Sequence, residues 1–70
     1  MLVVIIYARG YESNAKSLKS AILEEWTDAK VNLIGTSETL YQIQLGKEII
    51  YSDDSTETNT NIINAIKERL

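Results

Sequence analysis

The 70-residue chain has no cysteine, no histidine, no proline and no phenylalanine, and only three glycines. Lack of cysteine excludes disulfides, thiolate nucleophiles and zinc-thiolate centres, and lack of histidine removes the usual general base and the commonest metal ligand. Gly10, Gly35 and Gly46 stand far apart, so no glycine-rich loop is available to cradle a phosphate. Long apolar runs are missing too. The longest, which opens at Leu2, is too short to span a membrane and has neither the basic start nor the small-residue cleavage site of a secretory signal. The expectation is a soluble, cytoplasmic protein that binds no membrane. Positive charge is also in short supply: seven basic residues face ten acidic ones, for a net charge of -3, and the excess acid lies after Gly35. Nucleic-acid binding depends on Lys and Arg replacing phosphate counterions, so this balance argues against it.

What is present reads as one small domain over residues 1–70. Apolar residues make up 44% of the chain and charged residues 24%, values that suit a folded protein rather than a disordered one. Leu2 to Tyr7 is β-branched and aromatic with no polar alternation, which predicts a central strand covered at least partly on both faces. Ala8 to Tyr11 is then a loop, and Ser13 is the expected N-cap of a helix. Ala15, Leu18, Ile22 and Trp26 recur at helical spacing and mark its core-facing stripe, with Trp26 at the core edge. Thr27, Asp28 and Ala29 end it. Val31, Leu33 and Ile34 give a second strand expected to stop at Gly35, and the strand, helix, strand order predicts a parallel pair.

Residues 36–39 read as a polar turn. Tyr41, Ile43 and Leu45 alternate with Gln42 and Gln44, the pattern of a strand with one covered face, and Gly46-Lys47 is a two-residue turn of type II′ before a returning strand from Glu48 to Ser52. A polar stretch from Asp53 to Asn61 offers several N-caps for a second helix, in which Ile62, Ile63, Ile66 and Leu70 form the apolar face. The fold class is therefore α/β in the two-layer α+β sense. The order is βαβββα, with a four-stranded mixed sheet and two helices packed on one face. Leu40, Gln42, Gln44 and Ile50 are expected on the opposite face, together with either Leu2, Val4 and Ile6 or Val3 and Ile5. That open face is a surface through which an otherwise monomeric chain would form a weak homo-oligomer.

This order, the length and several local strings resemble the selenoprotein W family of small thioredoxin-like proteins. In that family a first strand ends in an aromatic-Cys-x-x-Cys (or selenocysteine) loop, and a Gly-rich turn precedes a hairpin of the type Phe-x-Val-x-Leu-x-Gly-x-Leu-Ile-x-Ser. The corresponding strings here are Tyr7 followed by Ala8-Arg9-Gly10-Tyr11, Gly35 before the turn, and Tyr41 to Ser52. Ala8 and Tyr11 occupy the redox positions, so thiol-disulfide exchange, which needs an attacking thiolate, is impossible. Ser37-Glu38-Thr39 lacks the glycines of the family's turn. The resemblance implies a thioredoxin-like domain without its redox chemistry.

The candidate sites follow. Ala8, Arg9, Gly10 and Tyr11, with Ser37, Glu38 and Thr39, are the expected partner-binding residues, because an exposed Tyr beside an Arg has the composition of an interface hot spot. The plainer alternative is that Tyr11 packs over the helix start and Arg9 is solvated. Asp53, Asp54 and Glu57 form an acidic loop without the spacing of a calcium site; it is read as solvated charge or as a contact for a basic protein. No catalytic residues, cofactor or metal are expected. Glu12, Glu48, Tyr7, Tyr11 and Arg9 are able to exchange protons, but no spacing connects them to a reaction. The expected function is non-catalytic protein binding. The alternatives are an acidic inhibitor, for example viral or phage-encoded, acting on a basic host surface, and a small enzyme using Tyr11 or Glu12.

Overall fold

The run of β-branched residues after Met1 forms the strand on which the rest is hung. In the computed structural model, which describes residues 1–70, β1 (Leu2–Ala8) is followed by a 3-10 turn (Arg9–Tyr11), α1 (Glu12–Glu25), β2 (Lys30–Thr36), β3 (Tyr41–Leu45), β4 (Glu48–Asp53) and α2 (Asn59–Lys67). The sheet order is β2-β1-β3-β4, with β1 central as expected. β1 runs parallel to β2, with Val3 opposite Val31 and Tyr7 opposite Gly35, and antiparallel to β3, with Ile5 opposite Ile43. β4 returns antiparallel along β3. The protein is thus an α+β fold with a four-stranded mixed sheet.

Both helices cover the same sheet face. Val3 and Ile5 of β1, Val31 of β2 and Tyr41 and Ile43 of β3 are buried in one cluster with Ala15, Leu18 and Ile22 of α1 and Ile62 and Ile66 of α2. Each fully buried Leu or Ile there contributes about 1.5–3 kcal/mol relative to exposure. Trp26 packs at the margin of this cluster, the expected core edge, but α1 ends at Glu25 and Trp26 is its extended C-cap, so it lies just beyond the helical stripe rather than on it. The choice left open for β1 is settled by burial: Val3 and Ile5 point inward, while Leu2 is 40% exposed and Val4 and Ile6 are half-buried on the open face.

Several local details differ from the sequence expectations. Ser13 does not cap α1. The 3-10 turn begins directly after β1 and carries the chain into helix one residue before Ser13, so Tyr11 stands at the N-cap without a side-chain bond and Ser13 lies inside the helix. β2 does not stop at Gly35 but continues to Thr36, because the parallel ladder with β1 runs on through Tyr7 opposite Gly35 and Ala8 opposite Thr36. Ile50 is not on the open face. Gln44 pairs with Ile49 and Ile43 with Tyr51, so Ile50 is the extra residue of a β-bulge and packs toward the core, and Ile49 takes the open face at 53% exposure. α2 starts before Ile62, capped by Thr58, whose hydroxyl accepts from the Asn61 amide at 3.2 Å, and ends at Lys67. Leu70 therefore falls outside the helix and is 70% exposed.

The two-residue hairpin turn is as read, although β4 runs one residue further than expected, to Asp53. Gly46 has φ +59° and is the only residue with positive φ, so Lys47 does not share it; positive φ at the first turn residue alone is the type II′ signature.

Candidate functional site at the carboxyl end of the first strand

Three segments meet where β1 ends. Ala8 pairs with Thr36 across the parallel β1/β2 ladder, and on its other side its amide donates to the Leu40 carbonyl at 2.7 Å. The 37–39 turn is therefore held between two neighbours of Ala8, beside the 3-10 turn. Its own geometry is fixed by the Glu38 amide donating to the Thr36 hydroxyl at 3.2 Å. Arg9, Gly10, Ser37, Glu38 and Thr39 are exposed, and Ala8 is half-buried. The exposed ones among the sequence-predicted loop residues thus lie on two turns that flank Ala8.

Between β1, β2 and the start of α1 lies an open depression of about 370 Å³ lined by Tyr7, Arg9, Glu12 and Gly35. Its position, outside the carboxyl ends of adjacent parallel strands, is where α/β sheets commonly admit ligands. Arg9 makes no side-chain hydrogen bond and no ion pair, whereas Glu12 is engaged one helical turn on by Lys16 at 3.6 Å. That pair is solvent-exposed and contributes little to stability. Tyr7 and Gly35 were not singled out from the sequence as site residues; the aromatic residue ending the strand and the lone glycine are visible there, but their pairing across β1 and β2 is not.

Tyr11 plays a different part from Arg9. Its ring meets Tyr41 edge to face, with centroids 6.0 Å apart and planes at 88°, and its hydroxyl donates to the Asp54 carbonyl at 2.8 Å. Tyr51 makes the matching arrangement from the other side, edge-on to Tyr41 at 6.3 Å, with its hydroxyl donating to the Ser55 carbonyl at 2.8 Å. Two tyrosines therefore fasten the 53–57 loop to the fold. Half-buried Tyr11 is mainly an internal strut, and the acidic loop is brought beside the Arg9 turn by that contact.

Within the acidic loop, Asp53 accepts from the Asp54 amide at 2.7 Å. Glu57 accepts from the Thr58 amide at 2.8 Å and from the Asn61 side chain at 3.1 Å, so it helps start α2. Asp53 and Asp54 are exposed. No three acidic residues converge as a metal site. Of the proton-exchanging residues noted above, Tyr7, Arg9 and Glu12 border the one depression, whereas Tyr11 directs its hydroxyl to Asp54 and Glu48 sits at the hairpin end of β4, paired with Arg69 at 2.9 Å.

Tyr41 is fully buried, and its hydroxyl has no protein partner. Burial pushes its phenol pKa up, and neighbouring Tyr51 adds to the rise. A phenol with a raised folded pKa favours the folded state while it stays neutral, and that preference is lost as pH rises from about 10 through the folded value. Tyr41→Phe removes both the unpaired hydroxyl and this titration. The variant is expected to match or exceed the parent by about 1 kcal/mol at pH 8, and to lose less stability than the parent between pH 8 and 11. Urea unfolding at the two pH values checks both.

No helix is long and apolar enough to cross a membrane. No protein-family model matches the chain, and no curated protein matches it.

Proposed function

We propose that the protein is a non-catalytic protein-binding module of thioredoxin-like, selenoprotein W-like type that works in the cytoplasm. The βαβββα order, the parallel β1/β2 pair and the two helices on one face agree with that resemblance. The observation that carries the binding role is the joining of two exposed turns, 9–11 and 37–39, around Ala8 at the carboxyl end of β1. Arg9 is the natural anchor. Its guanidinium is free of internal partners, it borders the depression beside Tyr7, and Arg is enriched among residues that dominate interface energetics. Glu38, Ser37 and Thr39 supply polar contacts around it.

Arg9 and Glu38 are better probes than Tyr11, whose removal would also release the Asp54 contact. Capture from a lysate of the source cell with the natural chain and with Arg9→Ala/Glu38→Ala tests the reading. A partner retained by the first and lost by the second supports it, while identical capture by both rejects the site.

A second reading has its own observation. The Tyr11 to Asp54 bond sets exposed Asp53 and Asp54 next to the same surface, a charge arrangement that favours a basic partner and an inhibitory role on its surface. Exposed charges are screened over about 8 Å at physiological ionic strength. Affinity is then expected to fall several-fold between 50 and 300 mM salt and to weaken with Asp53→Asn/Asp54→Asn; a partner indifferent to both is inconsistent with the acidic reading.

A further inference from the structure

The two edges of the sheet are treated differently. β4 carries a bulge at Ile50 and acidic residues at both ends, Glu48 and Asp53, features that discourage pairing with another strand. β2, the other edge, has seven residues, no bulge, no proline and one charge, Lys30 at its start. Its backbone polarity is fixed by the Lys30 amide, which donates inward to the Met1 carbonyl at 2.9 Å. Because amide direction alternates along a strand, Lys30, Asn32, Ile34 and Thr36 bond toward β1. Val31, Leu33 and Gly35 therefore direct their amides and carbonyls outward, away from the sheet.

We infer that this edge pairs antiparallel with β2 of a second copy of the chain, centred on Leu33, to make one eight-stranded sheet. The register follows from the outward groups. With Leu33 opposite its own counterpart and Val31 opposite Gly35, the three outward residues of each strand form hydrogen-bonded pairs, and every outward amide and carbonyl between Val31 and Gly35 finds a partner. Side chains match as well. The helix-facing Val31 and Leu33 stay on the helix side in both copies, and exposed Asn32 lies across from exposed Ile34 on the open face. Lys30 falls opposite Thr36, so the only charge on the edge meets no like charge. A two-fold axis through Leu33 places the two Arg9 turns on opposite strand-end edges of the joined sheet, each beside a Gly35 that takes part in the new ladder.

The test uses charges placed at the two facing open-face positions, which are exposed in the single chain. In this register position 32 of one copy faces position 34 of the other in a non-hydrogen-bonded pair, where side chains approach most closely. Asn32→Lys/Ile34→Lys sets Lys against Lys twice; Asn32→Lys/Ile34→Glu sets Lys against Glu twice. Sedimentation equilibrium over 10 μM to 1 mM is expected to show a concentration-dependent dimer for the natural chain. The Lys/Lys variant should remain monomeric with an unchanged circular dichroism spectrum, and the Lys/Glu variant should dimerise at a concentration at least fivefold lower than the Lys/Lys variant requires. A natural chain monomeric throughout overturns the proposal and returns the edge to strands of other proteins. Equal weakening of the dimer by both variants also overturns it, since that result belongs to a dimer built on the apolar open face.

Discussion

Ile5→Ala is expected to destabilise the domain by about 3 kcal/mol, whereas Ile49→Ala changes stability by less than about 0.5 kcal/mol. Both residues are isoleucines on strands, but Ile5 is fully buried at the centre of the sheet between Leu33 and Ile43, and Ile49 is 53% exposed on the open face. Truncating Ile5 removes apolar surface from the buried cluster under the helices and leaves a cavity that the central strand cannot close by shifting. For a chain of this size, total stability is on the order of 4–10 kcal/mol, so the variant loses a large fraction of it. Its melting temperature should fall by roughly 12 °C or more. Thermal and urea unfolding of the two variants check the assignment of sheet faces; comparable losses for both would mean that the open face is covered.

The second large effect concerns binding. For a partner captured by the natural chain, Arg9→Ala/Glu38→Ala is expected to raise Kd by at least about tenfold, equivalent to about 1.4 kcal/mol. Stability should be unchanged within about 0.5 kcal/mol, because neither side chain makes a hydrogen bond or ion pair within the fold. The separation of the two readouts matters. A Tyr11→Ala change would lower both at once, since Tyr11 packs on Tyr41 and holds Asp54. Calorimetric titration alongside urea unfolding distinguishes a lost contact from a loosened fold.

The elements were legible in the sequence wherever periodicity and turn chemistry agreed. Leu2 to Tyr7 is too β-branched for a helix, Ala15, Leu18 and Ile22 share one helical face, and Gly46-Lys47 between alternating strands leaves little freedom in register. What escaped depended on contacts between distant segments. The inward set of β1 is chosen by the helices, so Val3 and Ile5 could not be told from Leu2, Val4 and Ile6 by a run that is apolar throughout. The bulge at Ile50 depends on how β4 pairs with β3, and two adjacent isoleucines give no local sign of which one turns inward. Gly35 reads as a stop signal locally; in the fold it lies under the Tyr7 ring and the strand continues.

The site was legible as a pair of loops but not as a surface. Composition drew attention to Arg9, Tyr11 and the 37–39 turn, and the β1/β2 register with the Ala8 to Leu40 bond brings those loops together. The roles within the loop divide in a way that composition does not reveal: Arg9 is free, while Tyr11 is committed to Tyr41 and Asp54. Likewise Glu57, read as part of an acidic patch, is occupied in starting α2, and Asp53 and Asp54 remain as the exposed acids of that loop.

The central claim is that partners bind at the carboxyl end of β1. Backbone amide chemical shifts, followed while a captured partner is titrated into the isotope-labelled chain, test it most directly. The account predicts that the largest changes cluster in residues 8–12 and 36–39, with smaller ones at 53 and 54. Changes centred instead on Val4, Ile6, Gln42, Gln44 and Ile49 would place the partner on the open sheet face and contradict it.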